Sequence, residues 1–230
     1  MSATRTPIEL RPSFLAGLGE ASREGLLSQG RRRRYPTRSI LFFEADDPSS
    51  VFAICSGLVK LTINVDGHEV VLDVLGPGDL LGELSAIEGV TRSATAVAIK
   101  PVEAIAIPRA AFMSTVAADA EISGALLQMV ARRLRGASRR QVEYGALDAT
   151  GRVCRRLVEM AERFGTPWGD TIVISGPLTQ SDIAAWAGLS REAVVKALHS
   201  LRAVGWVETS ARSITVLDVD AVVARASLPS

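Results

Sequence analysis

"QSDIAAWAGLSREAVVKALH", residues 180–199, is the stretch on which the reading of the fold turns. Apolar side chains recur at helical spacing in two blocks, and Gly188, Leu189 and Ser190 separate the blocks. That is the steric pattern of two helices crossing at a turn of three to four residues. Thr179 can cap the first helix, with Asp182 near its positive end, while Gly188 can end it and Ser190 can cap the second. Ala184 is small where the helices come closest, and Ile183, Leu189, Val194 and Leu198 can fill the wedge. An ordinary helical hairpin would need all these features to coincide by chance. A helix-turn-helix is therefore expected, with its recognition helix over residues 190–204.

A recognition helix enters the major groove with its first turns facing base edges. Those turns offer Ser190, Arg191, Glu192 and Lys196. Arg191 can donate twin hydrogen bonds to guanine O6 and N7, and Glu192 can accept from cytosine N4. A carboxylate repels a phosphate backbone, so Glu192 points to reading of sequence. Thr179, Gln180, His199 and Arg202 are candidate phosphate contacts, although a solvated face fits His199 and Arg202 equally well. "GWVETSARSITVLD" at 205–218 alternates like a two-stranded wing. Upstream, "TPWGDTIVISGP" at 166–177 supplies a short strand and turns.

"GALDATGRV" at 145–153 marks a boundary, where Asp148 can cap a helix running to Phe164. Before it, residues 119–144 carry no turn signal and form one long helix. Leu127, Val130, Leu134, Ala137, Gln141 and Tyr144 step by three and four, a coiled-coil seam between arginine-rich flanks. A homodimer through helix 119–144 is expected, and a helix packed on its own domain is the alternative. Residues 13–29 read as one or two short amphipathic helices. From Arg34 to Pro108, short β-branched runs alternate with turn residues, and Asp66-Gly67 is a hairpin turn. The region reads as an antiparallel β-roll or jelly roll. "RRRR" at 31–34 fits a charged, protected edge strand better than a nucleic-acid patch. The expected class is α+β: a β-roll domain over 1–118, a long dimerisation helix and hinge over 119–147, and a winged helix-turn-helix over 148–230.

Bulk properties narrow the function classes. The 230 residues are 47% hydrophobic and 22% charged, with no apolar run near the roughly 20 residues of a membrane span. No leader opens the chain, so a cytoplasmic location without membrane attachment is expected. A formal net charge of +1 means that DNA binding must come from a local patch. Cys55 and Cys154 lie far apart and lack metal-ligand spacing. Only two histidines are present, His68 and His199, which argues against a metal-dependent cupin-like enzyme and leaves His68 a poor haem ligand. Neither an enzyme nor a metal protein is expected.

"GELSAIEGVTRSA" at 82–94 brings one acid and one arginine together among small residues. With its surroundings, "GPGDLLGELSAIEGVTRSATAVA", it resembles the phosphate-binding cassette of the cyclic-AMP receptor protein family, the CRP/FNR class of bacterial transcription regulators. "ARRLRGASRR" at 131–140, "LDATGRV" at 147–153 and "LTQSDIAAWAGLSREAVVKAL" at 178–198 carry the resemblance over nearly the whole chain. It implies a homodimer whose DNA affinity is set allosterically by a cyclic nucleotide bound beside the β-roll.

Within that resemblance, Arg92 would meet the phosphodiester with paired, charge-assisted hydrogen bonds and Ser93 would add a donor. Glu83 would accept from the ribose 2′-hydroxyl, and Gly82, Leu84 and Ser85 would let backbone N–H groups approach the ligand. Glu83 and Arg92 are also expected to steady one another. The two family positions that meet the purine fall on Ala137 and Ser138, and the alanine departs from the usual threonine, removing a hydrogen bond worth roughly 0.5–1.5 kcal/mol. Arg133 either reaches the ligand or is structural. Cyclic AMP is the first candidate effector, with cyclic GMP or no effector as alternatives. The DNA target is a palindrome whose half-site resembles TGTGA in part, because Lys196 replaces the family's arginine. RNA polymerase is a further expected partner. A constitutive DNA-binding dimer with a vestigial pocket is the main rival.

Overall fold

The computed structural model describes residues 12–176, 178–210 and 213–227. The chain forms two compact units, one of Pro12–Gly136 and one that begins at Ala137. In the first, a 3-10 turn at Leu15–Gly17 precedes helix α1, Glu20–Ser28. The β-roll is two antiparallel four-stranded sheets. One runs in the order β1 (Arg31–Tyr35), β8 (Val102–Pro108), β3 (Ser50–Ser56), β6 (Leu80–Leu81). The other runs β2 (Ile40–Phe42), β7 (Thr95–Ala98), β4 (Val59–Val65), β5 (His68–Leu75). Phe42, Val59, Leu75 and Ala96 from one sheet pack with Phe52, Ile54, Leu81 and Val102 from the other. Burying such side chains contributes roughly 1.5–3 kcal/mol each and fixes the strand register, since a one-residue slip would turn them to solvent. The hairpin between β4 and β5 pairs Val65 with His68 across Asp66-Gly67, both at positive φ.

The arginine run lies in β1, an edge strand that among the described residues pairs with β8 alone. Arg32 and Arg34 both reach Glu103 on that neighbour, at 2.9 and 2.6 Å. Edge position and exposed charge together discourage pairing with another chain.

Between the roll and the long helix lies a helix that the sequence reading passed over, α3 at Arg109–Ala118. Only Phe112 is buried in it, so no strong apolar period announces it. The long helix α4 covers Ala120–Ala146. Ile122, Leu126 and Met129 on one side join the core made by Phe14, Leu26, Leu80 and Phe112. Leu127 and Leu134, on another side, are 71% and 68% exposed. One face of the helix thus packs on its own roll, while Leu127 and Leu134 on another side stay exposed.

In the second unit, Asp148 caps α5, Ala149–Phe164, by accepting from the Gly151 N–H at 2.8 Å. Residues expected to give one strand form two, β9 (Gly165–Trp168) and β10 (Thr171–Ser175), and these join β12 (Ser213–Val216) and β11 (Val207–Thr209) in one sheet. The wing is β11 and β12; its tip at 211–212 lies outside the described residues. A final helix, α8 at Val219–Ala226, was not anticipated, and its Arg225 forms an ion pair with Asp148. Among the described residues no single helix is long and apolar enough to cross a membrane.

Candidate functional site

Helices α6 (Gln180–Ala187) and α7 (Arg191–Ala203) form the helix-turn-helix. A reciprocal capping box starts α6: Asp182 N–H donates to Thr179 Oγ1 at 3.1 Å, and Thr179 N–H donates to Asp182 Oδ2 at 2.9 Å. Two backbone donors are satisfied at once. The Thr179 hydroxyl also donates to Asp182 Oδ2 at 2.7 Å, so its proton is engaged within the cap. Gly188 ends α6 at φ 63°, a left-handed conformation that disfavours a side chain. Ser190 caps α7 by accepting from Ala193 N–H at 3.2 Å.

Val194, Ala197, Leu198 and Leu201 of α7 are buried, as are Ile183 and Trp186 of α6, the helix in contact with it. The opposite face of α7 presents Glu192, Lys196 and His199 at steps of four and three, with Arg191 in the first turn; all four are exposed. Gln180 is exposed at the start of α6. Arg202 instead donates to Thr209 Oγ1 at 3.0 Å, tying the end of α7 to the wing. The Glu192 carboxyl is held below the ordinary glutamate range by its own backbone N–H and by Ser190, so it is an anion at neutral pH.

In the first unit, β6 leads into Gly82 and the short helix α2, Glu83–Glu88. Gly82 sits at φ 80°, and a Cβ there would come within 2.3 Å of Arg92 Nη1. Arg92 is 3% exposed. It donates from Nη1 to the Gly82 carbonyl at 2.7 Å and from Nη2 to the Ser50 carbonyl, with its guanidinium 4.3 Å from the centre of the Phe42 ring. Burial pulls its pKa down, and the charges of Glu83 and Asp46 oppose that pull.

Glu83 is 1% exposed, and its partner is not Arg92. Arg133 on α4 donates to Glu83 Oε1 and, at 3.0 Å, to the Leu80 carbonyl. Glu83 thus takes its hydrogen bond from Arg133 of α4 and Arg92 donates to backbone carbonyls, while the Glu83 charge still favours the Arg92 cation as expected. Burial raises the Glu83 pKa, and Arg133 opposes the rise. Ser85 is buried, whereas Leu84 and Ser93 are exposed. Ala137 and Ser138 are exposed on the part of α4 that belongs to the second unit.

Two buried polar atoms here have no hydrogen-bond partner, Glu83 Oε2 and Arg92 Nε. A buried polar group left unpaired costs about 1–3 kcal/mol, and more when charged. One is an acceptor and one a donor, the two functions that a ribose hydroxyl and a phosphodiester require. The residues present fit a cyclic nucleotide. No group of three or more His, Cys, Asp or Glu is arranged for a metal among the described residues.

Two family models divide the chain along the same lines. Residues 32–119 match the cyclic nucleotide-binding domain, and residues 151–225 match the Crp-like helix-turn-helix domain. The CRP-like cAMP-activated global transcriptional regulator of Mycobacterium tuberculosis is 33% identical over 217 residues, 94% of this chain and 97% of the relative. Solved structures add the fold. FixK2 from Bradyrhizobium japonicum superposes at a TM-score of 0.78 with 23% identity, covering 87% of this chain and 99% of that one. CLP of Xanthomonas campestris, a c-di-GMP responsive global regulator, does so at 0.72 with 25% identity, covering 86% and 99%. The chain belongs to the CRP/FNR family of transcription regulators. Its class is that of a DNA-binding regulator with a cyclic nucleotide-binding domain, and not that of a cupin-like enzyme.

Proposed function

We propose that the protein is a homodimeric cytoplasmic regulator whose affinity for a palindromic operator is raised by cyclic AMP. The observation that carries this reading is the buried pair of unsatisfied atoms, Glu83 Oε2 and Arg92 Nε, in one cassette. Arg92 would bind the phosphodiester, releasing the Gly82 and Ser50 carbonyls, while Glu83 would accept from the 2′-hydroxyl. Gly82 admits the guanidinium because it has no Cβ. Ser85 and Ser93 stand beside these residues, and Arg133 donates to Glu83 Oε1. Ser138, with Ala137, would supply the purine contact. The relative from Mycobacterium tuberculosis described as cAMP-activated supports the choice of nucleotide.

The outward-facing Leu127 and Leu134, with the half-buried Val130 between them, support dimerisation through α4, since two such stripes would bury each other. In that dimer the α7 helices would stand about 34 Å apart, one duplex turn. Arg191 and Glu192 would read bases, Lys196 would add a point charge, and Gln180, Ser190 and His199 would contact the backbone. RNA polymerase is the partner through which such a protein would act on transcription. A coupling of about 1–3 kcal/mol suffices for a 5- to 150-fold change in DNA affinity.

A second reading, a constitutive dimer, is favoured by one observation: both terminal nitrogens of Arg92 already serve protein carbonyls. Fluorescence anisotropy of an operator selected in vitro separates the two. Wild type is expected to bind at least fivefold more tightly with saturating cyclic AMP, and Arg92→Ala to show no response. Equal affinities in all four measurements would leave the constitutive dimer. A response to cyclic GMP or c-di-GMP alone would reassign the effector.

A further inference from the structure

The last turn of α4 carries a carboxylate that neither effector nor DNA chemistry uses. Glu143 is 3% exposed. Its Oε2 accepts from Arg156 of α5, and its Oε1 lies 3.2 Å from Arg155 Nε. Both arginines are buried, and both also meet Glu159, at 2.9 and 3.5 Å. The Arg156 guanidinium stacks 5.5 Å from the ring of Trp186 in α6, itself fully buried. One residue beyond Glu143, the Tyr144 ring lies so close to Gly188 that a Cβ there would come within 2.6 Å of it. Arg152 donates to the Gly188 carbonyl at 3.2 Å and sits 5.7 Å over the same Tyr144 ring.

Four buried charges are a poor device for stability, because taking each out of water offsets most of what pairing returns. What they define is one arrangement. An apolar face can slide by a fraction of a turn, but a guanidinium that must meet two carboxylates at its edge and lie over an aromatic ring is restricted in orientation. We propose that Glu143 is a positioning residue for DNA recognition, locking the end of α4 through Arg156 to Trp186 of the helix before the recognition helix. The recognition helix then keeps a fixed angle to the last turn of α4, and the dimer tolerates one half-site spacing. The inference rests on the reading that α4 carries the dimer seam.

The test compares full-length wild type and Glu143→Gln on three duplexes: an operator selected in vitro by wild type, and versions with one base pair added or removed between half-sites. Wild type should prefer the native spacing at least tenfold, and folded Glu143→Gln should prefer it less than threefold. General destabilisation would lower the active fraction equally on all three duplexes and leave the preference intact. Full preference in folded Glu143→Gln overturns the proposal. If circular dichroism shows Glu143→Gln unfolded, Arg156→Lys, which keeps the charge but loses the planar fork, decides by the same criterion. A wild type that selects no two-fold site, or sediments as a monomer, would instead sink the dimeric reading.

Discussion

Arg133 donates to one oxygen of the Glu83 carboxylate, and the other oxygen is buried with no hydrogen-bond partner. A carboxylate in that state is poised rather than satisfied. Burial raises its pKa, with Arg133 only partly offsetting the rise. Between the ordinary glutamate value and the raised one, the folded chain binds more protons than the unfolded chain. Stability of the first unit therefore falls as pH rises through that interval. Urea midpoints across the interval should fall more steeply in wild type than in Glu83→Gln. Parallel curves would show that Glu83 does not titrate as described.

Arg92→Lys keeps the positive charge but cannot serve two acceptors through one planar fork. Calorimetry should find cyclic AMP affinity reduced at least tenfold, with the fold retained. Unchanged affinity would move the phosphate contact elsewhere.

Leu134 is a large apolar side chain exposed on α4. Leu134→Glu would place two carboxylates in the proposed seam, where burying them is strongly unfavourable. Sedimentation should show monomer at micromolar concentration. Operator affinity should drop by two orders of magnitude or more, because the second half-site is no longer tethered. A dimer that persists would remove α4 as the interface.

Glu192 is exposed in the first turn of α7 and held ionised. Glu192→Ala should reduce discrimination at one base pair of each half-site by about tenfold, while affinity for non-specific DNA stays level or rises. Competition against a set of single-base operator variants measures this. A uniform loss over all variants would make Glu192 a structural cap and not a reader.

Asp148 joins two elements: it caps α5 and pairs with Arg225 of α8. Loss of an N-cap costs about 0.5–2 kcal/mol. Asp148→Ala should lower the melting temperature of the second unit without altering the response to cyclic AMP in the first. An unchanged melting temperature would show that Asp148 supports neither helix.

What could be read without coordinates is what local rules govern. Thr179 and Asp182, Gly188, Ser190, Asp148 and the Asp66-Gly67 turn act over three or four residues, and each does locally what its side chain dictates. The β-branched runs from Arg34 to Pro108, divided by turn residues, set the strands, because such side chains suit a pleated, half-buried surface. The weak elements escaped for the same reason. Helix α3 buries one residue, α8 is held by a partner far along the chain, and β6 is two residues long.

Tertiary structure alone decided the electrostatics. Glu83 lies nine positions from Arg92 yet pairs with Arg133, fifty positions away. Glu143, which carries no motif in the sequence, is buried against Arg155 and Arg156. A charge taken out of water must be met by whatever opposite charge or dipole the packing places beside it. Separation along the chain says nothing about that choice, so the sequence names the ions and only the fold assigns their partners.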